Sequence, residues 1–184
     1  MRVKILCLIT VLIVTACVTK RGPINNSDFE STLTLTNLQG TYRNKGDTGS
    51  TGYNIYLSKI IWPSDDELNH ERVDLIKIKP INDSTLVATA LGEGITLKEG
   101  QFLLGKDFSF KNGRITINRE GGVAGFKTGE PILGLYHGAI TLGLDKEGQG
   151  KFRSSSGAVG MAYLVVPLAM KAQQDVRFER IEQN

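Results

Sequence analysis

Two histidines, His70 and His137, are the side chains of this 184-residue chain best suited to proton transfer or metal ligation near neutral pH. His70 stands among Asp65, Asp66, Glu67 and Glu71, and imidazole with carboxylates is a zinc donor set. The two-histidine spacing of a helical zinc motif is missing, so a solvated acidic loop is the simpler account and no metal is expected. His137 is opposite in phase to Tyr136 and shares its face with Leu133, Leu135 and Ala139. That placement suits a ligand contact or base, or a histidine hydrogen-bonded in a half-buried strand. Ser154-Ser155-Ser156-Gly157 lacks the Gly-x-Ser-x-Gly elbow that exposes a nucleophilic serine. Gly121-Gly122-Val123-Ala124-Gly125 offers backbone N–H groups to an anion, but lacks the Gly-Lys-Ser/Thr ending of a phosphate loop. Tyr53, Tyr56 and Trp62 offer ring faces to a ligand, while their helical spacing equally suits packing on a sheet. No catalytic set and no cofactor are expected. The candidate ligand contacts are Tyr56, Trp62, Tyr136 and His137.

Cys17 carries a different chemistry. Arg2 and Lys4 open the chain, and an apolar run follows from Ile5 to Ala16, interrupted by Thr10 and Thr15. A positive start followed by a short apolar run is the pattern of an export signal. The run is too short to cross a hydrocarbon core, which takes roughly 20 residues. It ends in Val14-Thr15-Ala16-Cys17, which resembles the lipobox of bacterial lipoproteins; the alternative is an ordinary secretory signal with a cysteine at the cut. The resemblance covers the signal alone. It implies cleavage before Cys17, a diacylglycerol on its sulfur and usually an acyl chain such as palmitate on its nitrogen. Val18 and Thr19 follow where an aspartate would favour inner-membrane retention, which is similar to the outer-membrane class of Gram-negative lipoproteins.

Removing the first 16 of 184 residues leaves 168, enough for one domain with its own core. The net charge of +3 falls to +1 when Arg2 and Lys4 leave, so there is no electrostatic case for nucleic acid. The chain has two cysteines, and Cys7 departs with the signal, so the mature domain is expected to have no free thiol and no disulfide. Lys20-Arg21 lies next to the anchor and can touch anionic headgroups.

The elements that position these residues read mainly as strands. Residues 1–16 are a signal peptide, 17–37 a lipidated N-terminus and flexible tether, and 38–184 a single β-domain. As a coil the tether would span about 25 Å. Leu38 to Asn44 reads as a strand. Tyr53, Tyr56, Leu57, Ile60 and Ile61 form one apolar stripe at helical spacing, stopped by Pro63. In Arg72 to Lys79 the apolar phase switches between Leu75 and Ile76, which suggests a bulge or burial on both faces. Asn112-Gly113 suits a type I′ hairpin turn that sets Phe110 opposite Ile115 and Ser109 opposite Thr116. Ile132, Tyr136, Ile140, Leu142 and Leu144 share one face of a long strand, with Gly134 and Gly138 among them. Asp145 to Gly150 turns the chain, Lys151 to Val166 returns, and Asp175 to Ile181 is a last strand with Val176 and Phe178 on one face.

This pattern predicts an all-β fold: a small antiparallel meander barrel or a sandwich, with one short early helix. Gly40-Thr41-Tyr42 resembles the Gly-x-Trp opening of lipocalins, with tyrosine in place of tryptophan, and Arg177 or Arg180 could supply their closing arginine. A helix after the first strand is similar to the lid of fatty-acid-binding proteins. The resemblance implies a calycin-like barrel. The resulting expectation is a non-catalytic, lipid-anchored envelope protein, outer-membrane if the source is Gram-negative, that binds a partner protein or a small apolar ligand. A structural or assembly component of an envelope complex is the alternative, and a hydrolytic enzyme the third.

Overall fold

The computed structural model describes residues 17–31, 34–49, 54–124, 132–162 and 166–182. The fold is all-β, with two facing sheets and no closed barrel. The strands are β1 (Cys17–Arg21), β2 (Gly40–Arg43), β3 (Leu75–Asn82), β4 (Thr85–Gly92), β5 (Ile95–Leu103), β6 (Ser109–Lys111), β7 (Arg114–Ala124), β8 (Ile132–Leu144), β9 (Gly150–Ala162), β10 (Val166–Phe178) and β11 (Arg180–Glu182). One sheet runs β1-β10-β9-β8-β7-β6 and the other β11-β2-β3-β4-β5. Glu179 alone separates β10 from β11, so the chain passes directly from one sheet to the other on that side. On the other side a turn joins β5 to β6, and the two strands do not pair. The meander expected from the sequence is thus real, but its ring stays open between β5 and β6.

Alternation of side chains across each strand builds the core. Ile76 on β3 and Leu86, Ala88 and Ala90 on β4 face inward from one sheet. Ile140 and Leu144 on β8, Phe152 on β9, and Val176 and Phe178 on β10 meet them from the other. The phase switch near Leu75 marks where strand begins: Val73 is buried ahead of β3, and the pairing irregularity lies farther on, between Pro80 and Asn82. The Asn112-Gly113 hairpin has the expected register, with φ of 51° and 72° at the two turn residues. Glu93-Gly94 makes a second such turn, with φ of 51° and 78°.

The early helix is shorter than its apolar stripe. Only Leu57–Ile61 (α1) is helical, and Tyr53 lies outside the described residues. Before α1 the chain is extended: the Gly46 N–H bonds the Ile55 carbonyl, and Lys45 and Tyr56 form a β-bridge. Asn44, fully buried, then starts the helix from outside it. Its backbone carbonyl accepts the Leu57 N–H at 2.8 Å, and its Oδ1 accepts the Ser58 N–H at 2.7 Å. Its Nδ2 donates to the carbonyls of His70 and Val73, so one amide ties α1 to the loop before β3. A single short turn of helix depends on such partners, because its own nucleation is unfavourable.

The largest departure from the sequence reading lies in residues 17–37, which are not a free tether where described. Cys17–Arg21 pairs parallel to β10, and Phe29, Leu35 and Leu38 are buried, the last two in a 3₁₀ turn, Leu35–Leu38. Phe29 lies beneath the cations of Arg114, Lys151 and Arg153 at 4.9, 5.5 and 5.2 Å from the ring centroid. The Glu30 N–H bonds the Leu144 carbonyl at 2.8 Å. Beside Phe29, Asp175 is 1% exposed and accepts from Arg153 Nε at 2.7 Å, Arg153 Nη2 at 2.8 Å and Asn26 Nδ2 at 2.9 Å. Lys151 Nζ lies 3.3 Å from the same carboxylate and donates to Asn26 Oδ1 and the Ser27 carbonyl. Burial raises the Asp175 pKa, but hydrogen bonds from Arg153 and Asn26 and the charge of Lys151 outweigh it and hold the carboxyl well below its usual range. Residues 22–30 are therefore a strap laid over the outer face of the β8–β10 sheet and held by a buried ionic cluster.

Candidate functional site: an apolar cavity between the sheets

The inward faces do not meet everywhere. A cavity of about 110 Å³ lies between the sheets beside α1. Leu57 and Ile61 of α1, Leu86 of β4, Phe102 of β5, Phe108 just before β6, and Leu142 of β8 form much of its wall. Ala88 and Gly150 leave the room that larger side chains would take.

The few polar groups around the cavity are engaged elsewhere. The Tyr42 hydroxyl donates to the Leu38 carbonyl at 2.8 Å. Burial pushes its pKa up to about 12 against the opposing charge of Arg180, so the phenol stays neutral. Asp107 accepts the Leu103 N–H at 2.8 Å, and the Lys151 ammonium belongs to the Asp175 cluster. The wall therefore offers a guest hydrocarbon contact and no free hydrogen-bonding group from these three side chains. Apolar cavities near this size stay dry and accept small apolar molecules; about 150 Å³ suffices for benzene. Pockets for drug-sized ligands measure roughly 300–1,000 Å³, so this smaller space suits a ring or the end of an alkyl chain.

Neither Tyr56 nor Trp62 is part of this wall. Tyr56 precedes α1 and is half-buried. Trp62 is buried behind the cavity, 6.2 Å from the Phe102 ring, and covers Gly100, where an added Cβ would stand 2.8 Å from the indole Nε1. Its role is packing. Tyr136 and His137 pair along β8 with Ala158 and Gly157, and their side chains lie outside the described residues. Cys17 pairs with Met170 at the start of β1. The wall residues were signalled only by strand parity: Leu86 with Ala88, and Leu142 with Ile140, are inward positions, but parity does not say where facing residues leave a gap.

His70 is half-buried, with Nδ1 3.0 Å from Ser58 Oγ and Nε2 buried without a hydrogen-bond partner among the described residues. Burial, and then the charge of Lys59, lower its pKa. Asp65 is paired with Lys98, and no three potential metal-ligating side chains converge among the described residues. Of the two arginines offered for a closing role, Arg180 lies over the Tyr42 ring at 5.7 Å and donates to the carbonyls of Asn37 and Gln39. Arg177 turns instead to Asp145 and Glu147. Comparison with protein-family models, with curated proteins and with solved structures gives no match to this chain.

Proposed function

We propose that this chain is a lipid-anchored cell-envelope protein, outer-membrane in a Gram-negative cell, that holds a small apolar group between its sheets and does no chemistry on it. The observation that carries the binding role is the hydrocarbon cavity beside α1, whose neighbouring polar groups are already engaged. The anchor rests on the lipobox-like Val14-Thr15-Ala16-Cys17. Native mass spectrometry of gently extracted protein is expected to retain an apolar ligand, and Ala88→Leu to lose it while Trp62 emission stays native. A ligand-free wild-type protein whose stability is unchanged by toluene would overturn the binding role. Labelled palmitate should mark the protein in cells and fail to mark Cys17→Ser; an unlabelled wild type sinks the anchor.

One observation favours an assembly role instead. The outer edge of β5 is unpaired among the described residues, and Ile95 and Leu103 there are 59% and 39% exposed. Such an edge can take a partner's strand. Crosslinking in cells from a photoreactive residue at Thr96 would capture that partner; only uncrosslinked monomer counts against it.

A further inference from the structure

The pairing of β1 sets the height of the anchor on the molecule. Cys17 pairs with Met170, Met170 with Ala158, Ala158 with Tyr136, and Tyr136 with Gly122, forming one rung across five strands. Because β1 is parallel to β10, its lipid-bearing end points away from the packed body. Four strands continue past this rung: residues 123–124 of β7, 132–135 of β8, 159–162 of β9 and 166–169 of β10. They comprise only Val, Ile, Leu, Met, Ala, Gly and Pro. Connections 125–131 and 163–165 lie outside the described residues. Just on the body side of the rung the composition reverses: Lys20, Arg21 and Lys171 are exposed there, at register positions one to four residues from the Cys17–Met170 pair.

We propose that this shared strand tip rests in the headgroup–acyl boundary of the bilayer that holds the Cys17 lipid, with Lys20, Arg21 and Lys171 against anionic headgroups. The inference rests on the lipid-anchor reading and gives the anchor a geometry. From Met170 to Val166 is four residues, or about 13 Å of strand. That compares with the 5–10 Å that amphipathic elements bury at the interface and is well short of the roughly 30 Å hydrocarbon core. The tip does not span. Its outer edges, on β7 and on β10 between Val166 and Met170, carry backbone groups that are unpaired among the described residues and that hydrocarbon cannot satisfy. Each exposed cation near an anionic surface adds attraction, which salt screens.

The test uses the full chain purified from cell envelopes, with Leu168→Cys or the body control Thr96→Cys labelled by an environment-sensitive nitrobenzoxadiazole dye. Acylation leaves no thiol on Cys17. Vesicles of phosphatidylethanolamine and phosphatidylglycerol are prepared with and without spin-labelled lipid, and Trp62 emission checks folding of each variant. Quenching at 168 is expected to exceed that at 96 by at least threefold, and Lys20→Glu with Lys171→Glu to reduce it at low salt. Equal quenching at 168 and 96 on protein that mass spectrometry shows acylated at Cys17 overturns the tip contact and leaves the anchor standing. Protein without the acyl mass overturns the anchor, and the proposal with it. A blue-shifted dye at 168 without vesicles, together with a dimer in native mass spectrometry, assigns the tip to a second copy and likewise refutes the bilayer contact.

Discussion

Replacing Phe29 by alanine separates a docked strap from a free tether. A free tether predicts a change within about 0.5 kcal/mol, the usual range for a surface position. The structure predicts much more. Phe29 is 5% exposed and lies beneath three cations at about 5 Å. A buried phenylalanine removes about 150–250 Å² from water, and about 25 cal/mol per Å² makes that roughly 4–6 kcal/mol. Alanine keeps part of this, and core Phe→Ala substitutions cost about 3–5 kcal/mol. Because the strap can lift as a unit from an outer face, its own docking energy caps the loss, which places the expectation near 3 kcal/mol. Phe29→Leu should keep most of the hydrocarbon burial and lose the ring's attraction for the cations, a cost of about 1 kcal/mol. Urea unfolding followed by emission of Trp62, the chain's one tryptophan, reads both variants. With a slope of about 2 kcal/mol per molar, the alanine midpoint should fall by about 1.5 M. A shift under about 0.25 M would refute the strap.

Asp175→Asn keeps shape but strands Lys151, which is 3% exposed, without its counter-charge; breaking such a pair from one side should cost about 3–5 kcal/mol in the same assay. The native Asp175 pKa is depressed, so its contribution is present above the unfolded value near 3.9 and is lost as pH falls below it. Acid titration of stability should therefore be steeper below about pH 4 in the wild type than in Asp175→Asn. Tyr42 has the opposite sign: its pKa is raised to about 12, so its contribution is present below about pH 10 and lost as pH rises towards 12. Tyr42→Phe should flatten that alkaline limb. Gly100→Ala should cost about 1–3 kcal/mol and shift Trp62 emission, because the added methyl meets the indole at 2.8 Å and Phe102 at 3.3 Å.

Local signals carried far where the interactions that decide a segment lie close by in the chain. Asn112-Gly113 names its own turn, since both residues accept φ > 0, and the register follows from the turn. Glu93-Gly94 adopts the same geometry without a comparably strong signal, and the Glu93 N–H is held by Asp74 Oδ2, 19 residues away. The stripe from Tyr53 to Ile61 has helical spacing, yet residues 55 and 56 are extended because Gly46 and Lys45 pair with them. The cavity was hidden for a related reason: inward residues can be read from parity, but which of them face each other across two sheets cannot.

The Cys17 end of the chain shows the division most clearly. From residue types alone come the lipobox-like cysteine, the absence of any cysteine after it, the strand parities and the all-β class, because each depends on covalent chemistry or on the two-residue period of a strand. The polar composition of residues 18–37 suggests a tether. Only the tertiary structure brings Asp175, Lys151 and Arg153 together from two strands to receive Asn26 and Phe29, and only β10 supplies the edge on which β1 pairs. Those partners are more than 100 residues away, and the free energy of docking comes from burying their charges and the ring together. No pattern within the segment itself could announce it.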